Sequence, residues 1–530
     1  MNGKKRLISL CLAAILLLTI TACAGTPQSN TTASTSKSPA TSGSVAITSQ
    51  TKDPFLTGAK PTLNILTRYK PYNMKEQPSY KIIEEMTGYK VNWFMLPEEN
   101  STEKLLLEIA GGTSYDLCSQ VSGGADQLNA QNALLNLKPY LDKYGANIYA
   151  AIPDEMSMKA ITNAKGEIYC LRNAVVDEPA KGDDPYGCLK GGIGFNLKYL
   201  TEMGKSVPTN LVDFYDVLKA YTTKTGKPAL TQTASGWNVY ILAGFGMGNA
   251  TWYEVDGKYI PRIRHPGTVN YLTYMQKLYK EGLLDNDFPV NTAATSKEKF
   301  TNGTALAYPV NFWDIDGIYS AFKASGIDTK VEAATFLAAD ANTAPVHYIS
   351  QGVGNTSFIP KTAKNPEHAV IYFNMLSDTN NYRRVYIGVE NVSYEVKDGN
   401  YYPIFPAFND YLNADMFVGV QSPGELFKMW QARARKTEAM AAIHKQMNAR
   451  ISKYDIKYFY TSYASSLEAV QKNETALGTM VNDSLIQAIA TGENPQTAIN
   501  NIIAKWEKTG GLEYEAAMQK WYQENKANFK

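Results

Sequence analysis

The chain has 530 residues, with 52 basic and 50 acidic side chains and a formal net charge of +2. It is too long for a single hydrophobic core, and its balanced charge gives it no means of attracting nucleic acid or an anionic lipid surface. Tyrosine is enriched, with 35 copies beside 7 tryptophans, and such rings suit surfaces that contact sugars or peptides.

The first 25 residues combine a basic head, an apolar run and small residues around a cysteine. Residues 4–6 are basic, residues 7–20 are apolar, and Cys23 follows Thr-Ala. An apolar run of about 14 residues is shorter than the roughly 20 that a membrane-spanning helix needs. The pattern predicts an export signal over residues 1–22 and resembles a bacterial lipobox, in which the cysteine is acylated. The alternative is an ordinary signal with an accidental cysteine.

Residues 23–55 are predicted to be a lipidated cysteine followed by a disordered linker. Ser, Thr, Ala and Pro dominate this stretch, which offers almost nothing large and apolar to bury. The membrane contact of the mature chain would then be the lipid anchor.

Strands and helices alternate after the linker. The pattern predicts strands at 63–66, 91–94 and 115–120, separated by helices at 79–86 and 101–110. This βαβαβ order favours a parallel sheet that binds ligands at the carboxyl ends of its strands.

Sites for catalysis or for a cofactor are not recognisable in the sequence. The four histidines show no metal-binding spacing, and no nucleophile elbow is present. We therefore predict no cofactor, no metal and no enzymatic activity, and leave a structural calcium open. Cys118, Cys170 and Cys188 lack the CxxC spacing, so a single disulfide among them stays open.

Several short motifs occur in a fixed order behind the signal. They are Tyr115-Asp116-Leu117, Gly166-Glu167-Ile168-Tyr169, Gly194-Phe195-Asn196-Leu197, Phe300-Thr301-Asn302-Gly303, Asn365-Pro366-Glu367 and Gly388-Val389-Glu390. In this order they resemble extracellular solute-binding protein family 1 of the maltose-binding-protein superfamily. The subgroup is that of the Gram-positive lipoproteins that serve sugar ABC transporters, and the resemblance covers roughly residues 60–525.

The resemblance implies an α/β, two-lobed periplasmic-binding-protein-like fold. Each of the hinge-linked lobes would have a central, mostly parallel sheet flanked by helices. Lobe one would comprise residues 56–172 and 335–380, and lobe two residues 173–334 and 381–530, including the C-terminal helices.

The function implied by the resemblance is that of a lipid-anchored solute receptor on the extracellular face of the cytoplasmic membrane. A monomer would capture an oligosaccharide in the cleft by hinge closure and deliver it to the membrane permease subunits of an ABC importer. Two alternatives stay open: a peptide receptor on the same scaffold, and a secreted polysaccharide-degrading enzyme.

Candidate ligand-binding residues are aromatic or polar side chains at strand ends, turns and crossings between the lobes. For each of them a structural role, in the core, the hinge or a surface loop, is the competing interpretation. A sugar offers C–H groups to an aromatic ring and hydroxyls to a carboxylate, which favours a neighbouring Trp-Asp pair. The candidates are Trp313, Asp314, Trp237, Tyr69, Arg68, Gln120, Ser122, Arg172, Asn173, Glu390 and Tyr394. Trp252 and Tyr253 are instead predicted to lie in a surface hairpin.

Overall fold

The computed structural model describes residues 53–176 and 189–529. The predicted signal peptide, the lipidation site Cys23, the linker up to residue 52 and Cys188 lie outside the described residues.

Most described strands belong to two sheets, and the others form two hairpins. The strands are β1 (Leu63–Thr67), β2 (Val91–Met95), β3 (Leu117–Val121), β4 (Leu171–Val176), β5 (Gly191–Asn196), β6 (Trp252–Val255), β7 (Lys258–Pro261), β8 (Ala307–Asn311), β9 (Val331–Ala334), β10 (Val346–Phe358), β11 (Tyr394–Lys397), β12 (Asn400–Pro403) and β13 (Asp455–Phe459).

The helices flank the sheets and form the C-terminal part of the chain. They are α1 (Pro54–Thr57), α2 (Pro78–Thr87), α3 (Ser101–Ala110), α4 (Ala125–Ala130), α5 (Lys138–Tyr144), α6 (Ala146–Ala151), α7 (Glu155–Lys159), α8 (Leu197–Glu202), α9 (Leu211–Thr225), α10 (Val239–Leu242), α11 (Thr268–Lys280), α12 (Ala293–Thr301), α13 (Ile315–Ala324), α14 (Pro366–Ser377), α15 (Thr379–Tyr386), α16 (Pro423–Ala434), α17 (Glu438–Asn448), α18 (Glu468–Thr491), α19 (Pro495–Trp506) and α20 (Leu512–Asn525).

The first sheet begins with the predicted βαβαβ unit. β1 pairs in parallel with β2 on one side and with β3 on the other. α2 starts at a proline and ends at Gly88, whose φ of 70° suits a residue without a side chain. These three strands and two helices confirm the prediction to within two residues at each end.

Two of the sequence motifs meet beside this unit. Asp116 Oδ1 accepts hydrogen bonds from the backbone N–H of Asn365 (2.9 Å) and from its side chain (3.1 Å). Asp116 Oδ2 accepts another from the backbone of Asn64 in β1 (2.8 Å). The carboxylate thus joins the start of α14 to the first sheet, which gives both motifs a structural role.

The second sheet has the order β8-β5-β9, and both of its strand pairs are antiparallel. The expectation of a mostly parallel sheet in each lobe therefore holds for the β2-β1-β3 unit but not for these strands. β5 is the next described strand after β4, and β9 is the last strand before β10. β5 and β9 run in opposite directions.

The buried apolar side chains form one cluster around the first sheet and two around the second. The first contains residues from Leu63 to Leu171 and from Phe358 to Ala432. The other two hold most of the buried apolar residues between Leu189 and Val353 and between Ala434 and Tyr522. We call the first lobe one and the other two together lobe two.

Three stretches of chain connect the lobes. The first lies between β4 and β5, the second within β10 between Val353 and Phe358, and the third at residues 432–437 between α16 and α17. The expected boundaries differ from this packing, because most of the buried apolar side chains of residues 382–432 lie in lobe one, while Phe427 and Trp430 pack against lobe two. The return to lobe one likewise falls inside β10 rather than at residue 335.

Two further expectations are decided by the described residues. β6 and β7 form the predicted hairpin, but Trp252 and Tyr253 are buried in lobe two rather than presented at the surface. Cys118 and Cys170 are both buried and free. Even α18, the longest helix of the described ranges at 24 residues, is not apolar enough to cross a membrane, and no other described helix is.

Candidate functional site

The carboxyl end of β1 presents Arg68 and Tyr69. Tyr69 is 40% exposed. Arg68 is half-buried and donates from Nε to Met416 Sδ at 3.3 Å, while its Nη2 lies 3.4 Å from Asp415 Oδ2. Parallel sheets bind ligands at the carboxyl ends of their strands. Both side chains therefore lie at the edge where the sequence predicts ligand binding.

A cavity of about 630 Å³ opens beside Tyr69, at the carboxyl ends of β1 and β2. Trp93 lines it and packs edge-on against Phe417, with ring centroids 5.4 Å apart. The indole N–H of Trp93 has no acceptor among the described residues. The walls are Tyr69, Lys70, Pro71, Tyr72, Asn73, Met74, Lys75, Trp93 and Met95.

Gln120 and Ser122, at the end of β3, differ in burial. Gln120 is buried, with a φ of 56°, and its Nε2 lies 3.4 Å from the carbonyl oxygens of both Val418 and Gly419. It therefore holds the segment that crosses the strand ends. Ser122 is exposed one residue past β3.

Arg172 and Asn173 lie in β4, at the first crossing. Arg172 donates to Asp126 Oδ1 at 2.6 Å in lobe one and to the hydroxyl of Ser465 in lobe two. Asn173 Oδ1 accepts from the backbone N–H of Gln421 at 3.3 Å. Arg172 thus joins the lobes, whereas Asn173 contacts a segment of lobe one, and direct ligand contacts by the two residues stay a prediction.

Trp313 and Asp314 follow β8 in lobe two. The backbone and side chain of Asn311 both donate to Asp314 Oδ2 at 3.1 Å, which fixes the turn. Burial raises the pKa of Asp314 above its usual value. Trp313 is 48% exposed and packs edge-on against Phe312, with ring centroids 5.0 Å apart, so about half of the residue is accessible to solvent.

Trp237 packs within lobe two. Its ring stacks on Tyr271 with centroids 5.5 Å apart, and the guanidinium carbon of Arg262 lies 5.2 Å from its centroid. A structural role explains these contacts.

Glu390 and Tyr394 belong to the region of the β11–β12 hairpin in lobe one. Glu390 is exposed, whereas Tyr394 is buried and stacks on Tyr401 at 5.4 Å. The buried ring is part of the lobe-one core, and a ligand role for the pair stays a prediction.

Several cations surround one carboxylate next to Arg68. We call this group, made of Arg68, Lys70, Asp415, Arg433 and Lys436, the Asp415 cluster. Lys70 Nζ lies 2.6 Å and Arg433 Nη2 3.8 Å from the carboxylate of Asp415. Burial works against the charged carboxylate, but Lys70, Arg433 and Arg68 outweigh it and hold the pKa of Asp415 well below its usual value.

Lys436 lies in the third crossing, where Asp415 and Asp316 only partly offset its burial. Its Nζ donates to the carbonyl of Leu412 at 3.2 Å, and no carboxylate of the described residues lies within 4.0 Å of it. Burial, together with the charge of Arg433, lowers the pKa of Lys436 from 10.5 to about 8.

The third crossing brings the two halves of the site together. Thr437, next to Lys436, donates to Asp316 Oδ2 at 2.9 Å, at the start of the helix that follows Trp313. On α16, the helix that precedes Lys436, Trp430 packs edge-on against Phe312 with ring centroids 5.6 Å apart. The Arg68 side of lobe one and the Trp313 side of lobe two thus both border residues 432–437.

The architecture has counterparts among known proteins. Residues 79–393 match the family model described as bacterial extracellular solute-binding protein. The chain belongs to this family.

Two curated relatives of this solute-binding protein come from Bacillus subtilis (strain 168). Lipoprotein LipO is 22% identical over 493 residues, which cover 88% of this chain and 94% of LipO. The polygalacturonan/rhamnogalacturonan-binding protein YtcQ is 22% identical over 358 residues, 62% of this chain and 68% of YtcQ.

Solved structures share the fold. The alginate-binding protein AlgQ2 without calcium ion superposes with a TM-score of 0.64 at 16% identity, over 87% of this chain and 98% of AlgQ2. The S. pneumoniae ABC-transporter substrate-binding protein FusA, as an EF-hand mutant in complex with fructo-nystose, gives 0.63 at 17% identity, over 88% and 100% of the two chains. At these identities the likeness shows the two-lobed fold alone.

Sequence reasoning missed Lys70, Asp415, Arg433 and Lys436. A signal was present in residues 433–436, which read Arg-Ala-Arg-Lys and concentrate three cations in a chain of balanced charge. Among the described residues, no group of three His, Cys, Asp or Glu side chains is placed to hold a metal ion.

A second cavity, of about 420 Å³, lies in lobe two between residues 206–209, residues 332–345 and the end of α17. None of the predicted site residues lines it. We therefore take the edge near Tyr69 and the turn at Trp313 as the candidate site of this solute-binding protein.

Proposed function

We propose that this chain is the lipid-anchored, extracellular receptor of an ABC importer and that it captures an oligosaccharide between its two lobes. The ligand would enter between the carboxyl edge of the β2-β1-β3 unit and the turn after β8. The importer's membrane subunits would then receive it, and the receptor itself would leave the sugar chemically unchanged.

The observation that carries the proposal is a pair of exposed aromatic rings, one from each lobe. Tyr69 lies two residues after the end of β1 and Trp313 two residues after the end of β8, and both side chains are exposed. Large apolar rings are usually buried, so exposed rings at a cleft edge call for an explanation. The C–H faces of sugar rings pack well on such aromatic surfaces, while hydroxyls bind nearby polar groups such as Asp314.

The names of the relatives and of the solved structures point in the same direction. YtcQ is named for polygalacturonan and rhamnogalacturonan, AlgQ2 for alginate, and the FusA mutant is in complex with fructo-nystose. All are carbohydrates, which supports a carbohydrate here over a peptide.

Capture requires that the ligand favour the closed arrangement of the lobes. A ligand shifts such an equilibrium only by binding the closed state more tightly than the open one. Contacts to Tyr69 from lobe one and to Trp313 from lobe two would supply this difference, since both form at once only around a ligand held between the lobes.

Anchoring through Cys23 is the remaining part of the proposal. The basic head, the short apolar run and the small residues before Cys23 support it, as does the relative named as a lipoprotein. Two or more acyl chains anchor a protein stably, whereas the polar linker offers almost no large apolar side chains to insert into a membrane.

Calorimetric titration of the purified protein with neutral and acidic oligosaccharides and with short peptides tests the proposal. We expect one oligosaccharide class to bind, the radius of gyration measured by X-ray scattering to fall on binding, and chromatography to return the sugar intact. Binding of peptides alone would establish the peptide receptor instead. Turnover in proportion to protein concentration would establish the enzyme.

A further inference from the structure

The candidate site holds more positive than negative charge. In the Asp415 cluster, Arg68, Lys70 and Arg433 lie 2.6–3.8 Å from the Asp415 carboxylate. Lys436 binds the carbonyl of Leu412 and is acted on by Asp415 and Asp316, so four cations face two carboxylates. The chain as a whole is almost neutral, so the surplus is local rather than a reflection of composition. It lies directly beside Tyr69 and its cavity, since Lys70 both lines that cavity and pairs with Asp415.

The two arginines of the cluster are held firmly by the protein. Arg433 is buried and donates from Nη1 to the carbonyl of Tyr386 at 3.1 Å and to that of Tyr411, and from Nη2 to the carbonyl of Leu412 at 3.0 Å. Arg68 is held by Asp415 and Met416. These carbonyls and this sulfur satisfy donors but carry no full negative charge, so the positive charge of the cluster persists.

Lys436 is the least compensated member. Its amine shares the carbonyl of Leu412 with Arg433 and has no carboxylate partner among the described residues. Asp316, an acidic group of lobe two whose charge acts on Lys436, accepts its hydrogen bonds from the hydroxyl of Thr437. Burying an ammonium without a counter-ion is costly, and proteins rarely keep one unless it serves a ligand or a partner.

An anion bound at this point would complete the cluster. Arginine and lysine donors bind carboxylates through charge-assisted hydrogen bonds, which are stronger than those between neutral groups. The anion would also touch the third crossing, where both lobes meet, and would lie close to the aromatic wall formed by Tyr69 and Trp93.

We propose that the oligosaccharide of this receptor is anionic and that one of its uronic-acid carboxylates binds beside Lys436 and Lys70, with an adjoining sugar ring on Tyr69. This inference rests on the proposed function, because it specifies the class of sugar bound in the same cleft. A neutral glycan would bring no anion to the ammonium of Lys436, which has no ion-pair partner among the described residues. An acidic peptide would satisfy the charge but present no saturated ring face to the aromatic wall.

The test compares an acidic sugar with its neutral ester, and adds a second acidic sugar and an acidic peptide. Calorimetric titration uses tetragalacturonate, its fully methyl-esterified form and tetramannuronate, together with a tetraglutamate peptide, all at 50 mM salt. We expect at least one of the two acidic tetramers to bind, and tetragalacturonate, if bound, to bind at least 10-fold more tightly than its ester. Raising the salt to 500 mM should weaken binding of the acidic sugar, because the ion contacts are partly screened.

Variants locate the carboxylate. Lys436→Met keeps most of the side-chain volume and removes the charge, and we expect it to weaken binding of the acidic tetramer at least 10-fold. Lys205→Met is the matched control, since Lys205 is exposed in the loop between α8 and α9 and belongs to neither the cavity nor the cluster. It should leave the affinity unchanged. Circular dichroism of each variant checks that the fold is retained.

The outcomes separate this inference from the proposed function. Three results would each overturn the anionic assignment but leave the proposal of a sugar receptor intact. They are equal affinity for tetragalacturonate and its ester, tight binding of neutral glycans only, and an affinity for the acidic tetramer that Lys436→Met does not change. Failure of both acidic tetramers to bind also overturns the assignment. Binding of tetraglutamate with no affinity for any oligosaccharide would overturn both.

Discussion

Replacing Lys436 by methionine should stabilise the ligand-free protein. Its ammonium is held partly buried without a carboxylate partner, and its pKa is lowered from 10.5 to about 8. A shift of this size corresponds to about 3 kcal/mol of unfavourable free energy at neutral pH, at 1.36 kcal/mol for each pKa unit. The lost hydrogen bond to Leu412 costs about 1 kcal/mol, and Arg433 still donates to that carbonyl. The net gain is about 2 kcal/mol.

The pH dependence identifies the source of that gain. Below pH 8 the lysine is charged in both the folded and the unfolded chain, so its full cost is present. Between about pH 8 and 10.5 the folded protein releases this proton while the unfolded chain keeps it, and stability rises with pH. The advantage of Lys436→Met should therefore be largest at pH 7 and almost gone by about pH 9.5. The charges that act on Lys436 are those of Arg433, Asp415, Lys70 and Asp316.

Differential scanning calorimetry measures the effect. For a folded unit of roughly 470 residues, the unfolding entropy is about 1 kcal/mol/K, so 2 kcal/mol raises the melting temperature by about 2 °C. Lys205→Met, at an exposed position, should shift it by a few tenths of a degree at either pH. A Lys436→Met protein that melts below the wild type at pH 7, or whose advantage does not change with pH, would refute the reasoning.

Three further predictions concern the anchor, the aromatic face and the hinge. Cys23→Ala should move the protein from the membrane fraction to the medium on cell fractionation, and retention after a salt wash would contradict lipidation. Trp313→Ala should weaken oligosaccharide binding in calorimetry about 5- to 30-fold with little change in the melting temperature. Trp237→Ala should instead lower the melting temperature without a comparable loss of affinity. The reverse pattern would make Trp237 the ligand-binding ring and Trp313 the structural one. Arg172→Met should cost about 1–3 kcal/mol in denaturant unfolding, because it leaves the partly buried Asp126 without the hydrogen bond from the guanidinium that joins it to lobe two. An unchanged midpoint would argue against that hinge role.

The first βαβαβ unit could be predicted from the sequence because its signals are local. Apolar runs of strand length alternate with helical stretches, and Gly88 and Gly111 mark where the helices end. Such signals depend on neighbours a few residues apart, which is the range over which a sequence pattern is informative.

The boundary between the lobes and the Asp415 cluster depend instead on distant contacts. Lys70 and Asp415 are 345 positions apart and meet only because residues 382–432 pack back onto lobe one. The apolar pattern of that segment indicates that it is buried but not against which lobe. A cluster assembled from three separate segments leaves no spacing that a single sequence could reveal.

The position of the cluster also explains how binding and closure can be coupled. Residues 432–437 connect the lobes, and two neighbouring residues there contact both of them. The amine of Lys436 binds Leu412 in lobe one, and Thr437 binds Asp316 in lobe two. Under the proposed function, an anion bound beside Lys436 would remove a cost that the protein carries in the ligand-free state, and would do so in one of the stretches that connect the lobes. If closure draws lobe two over this anion, its charge is better shielded from water and its attraction to the cluster grows. The binding energy of one carboxylate would then be larger in the closed state than in the open one, and this difference is what drives a hinged receptor shut.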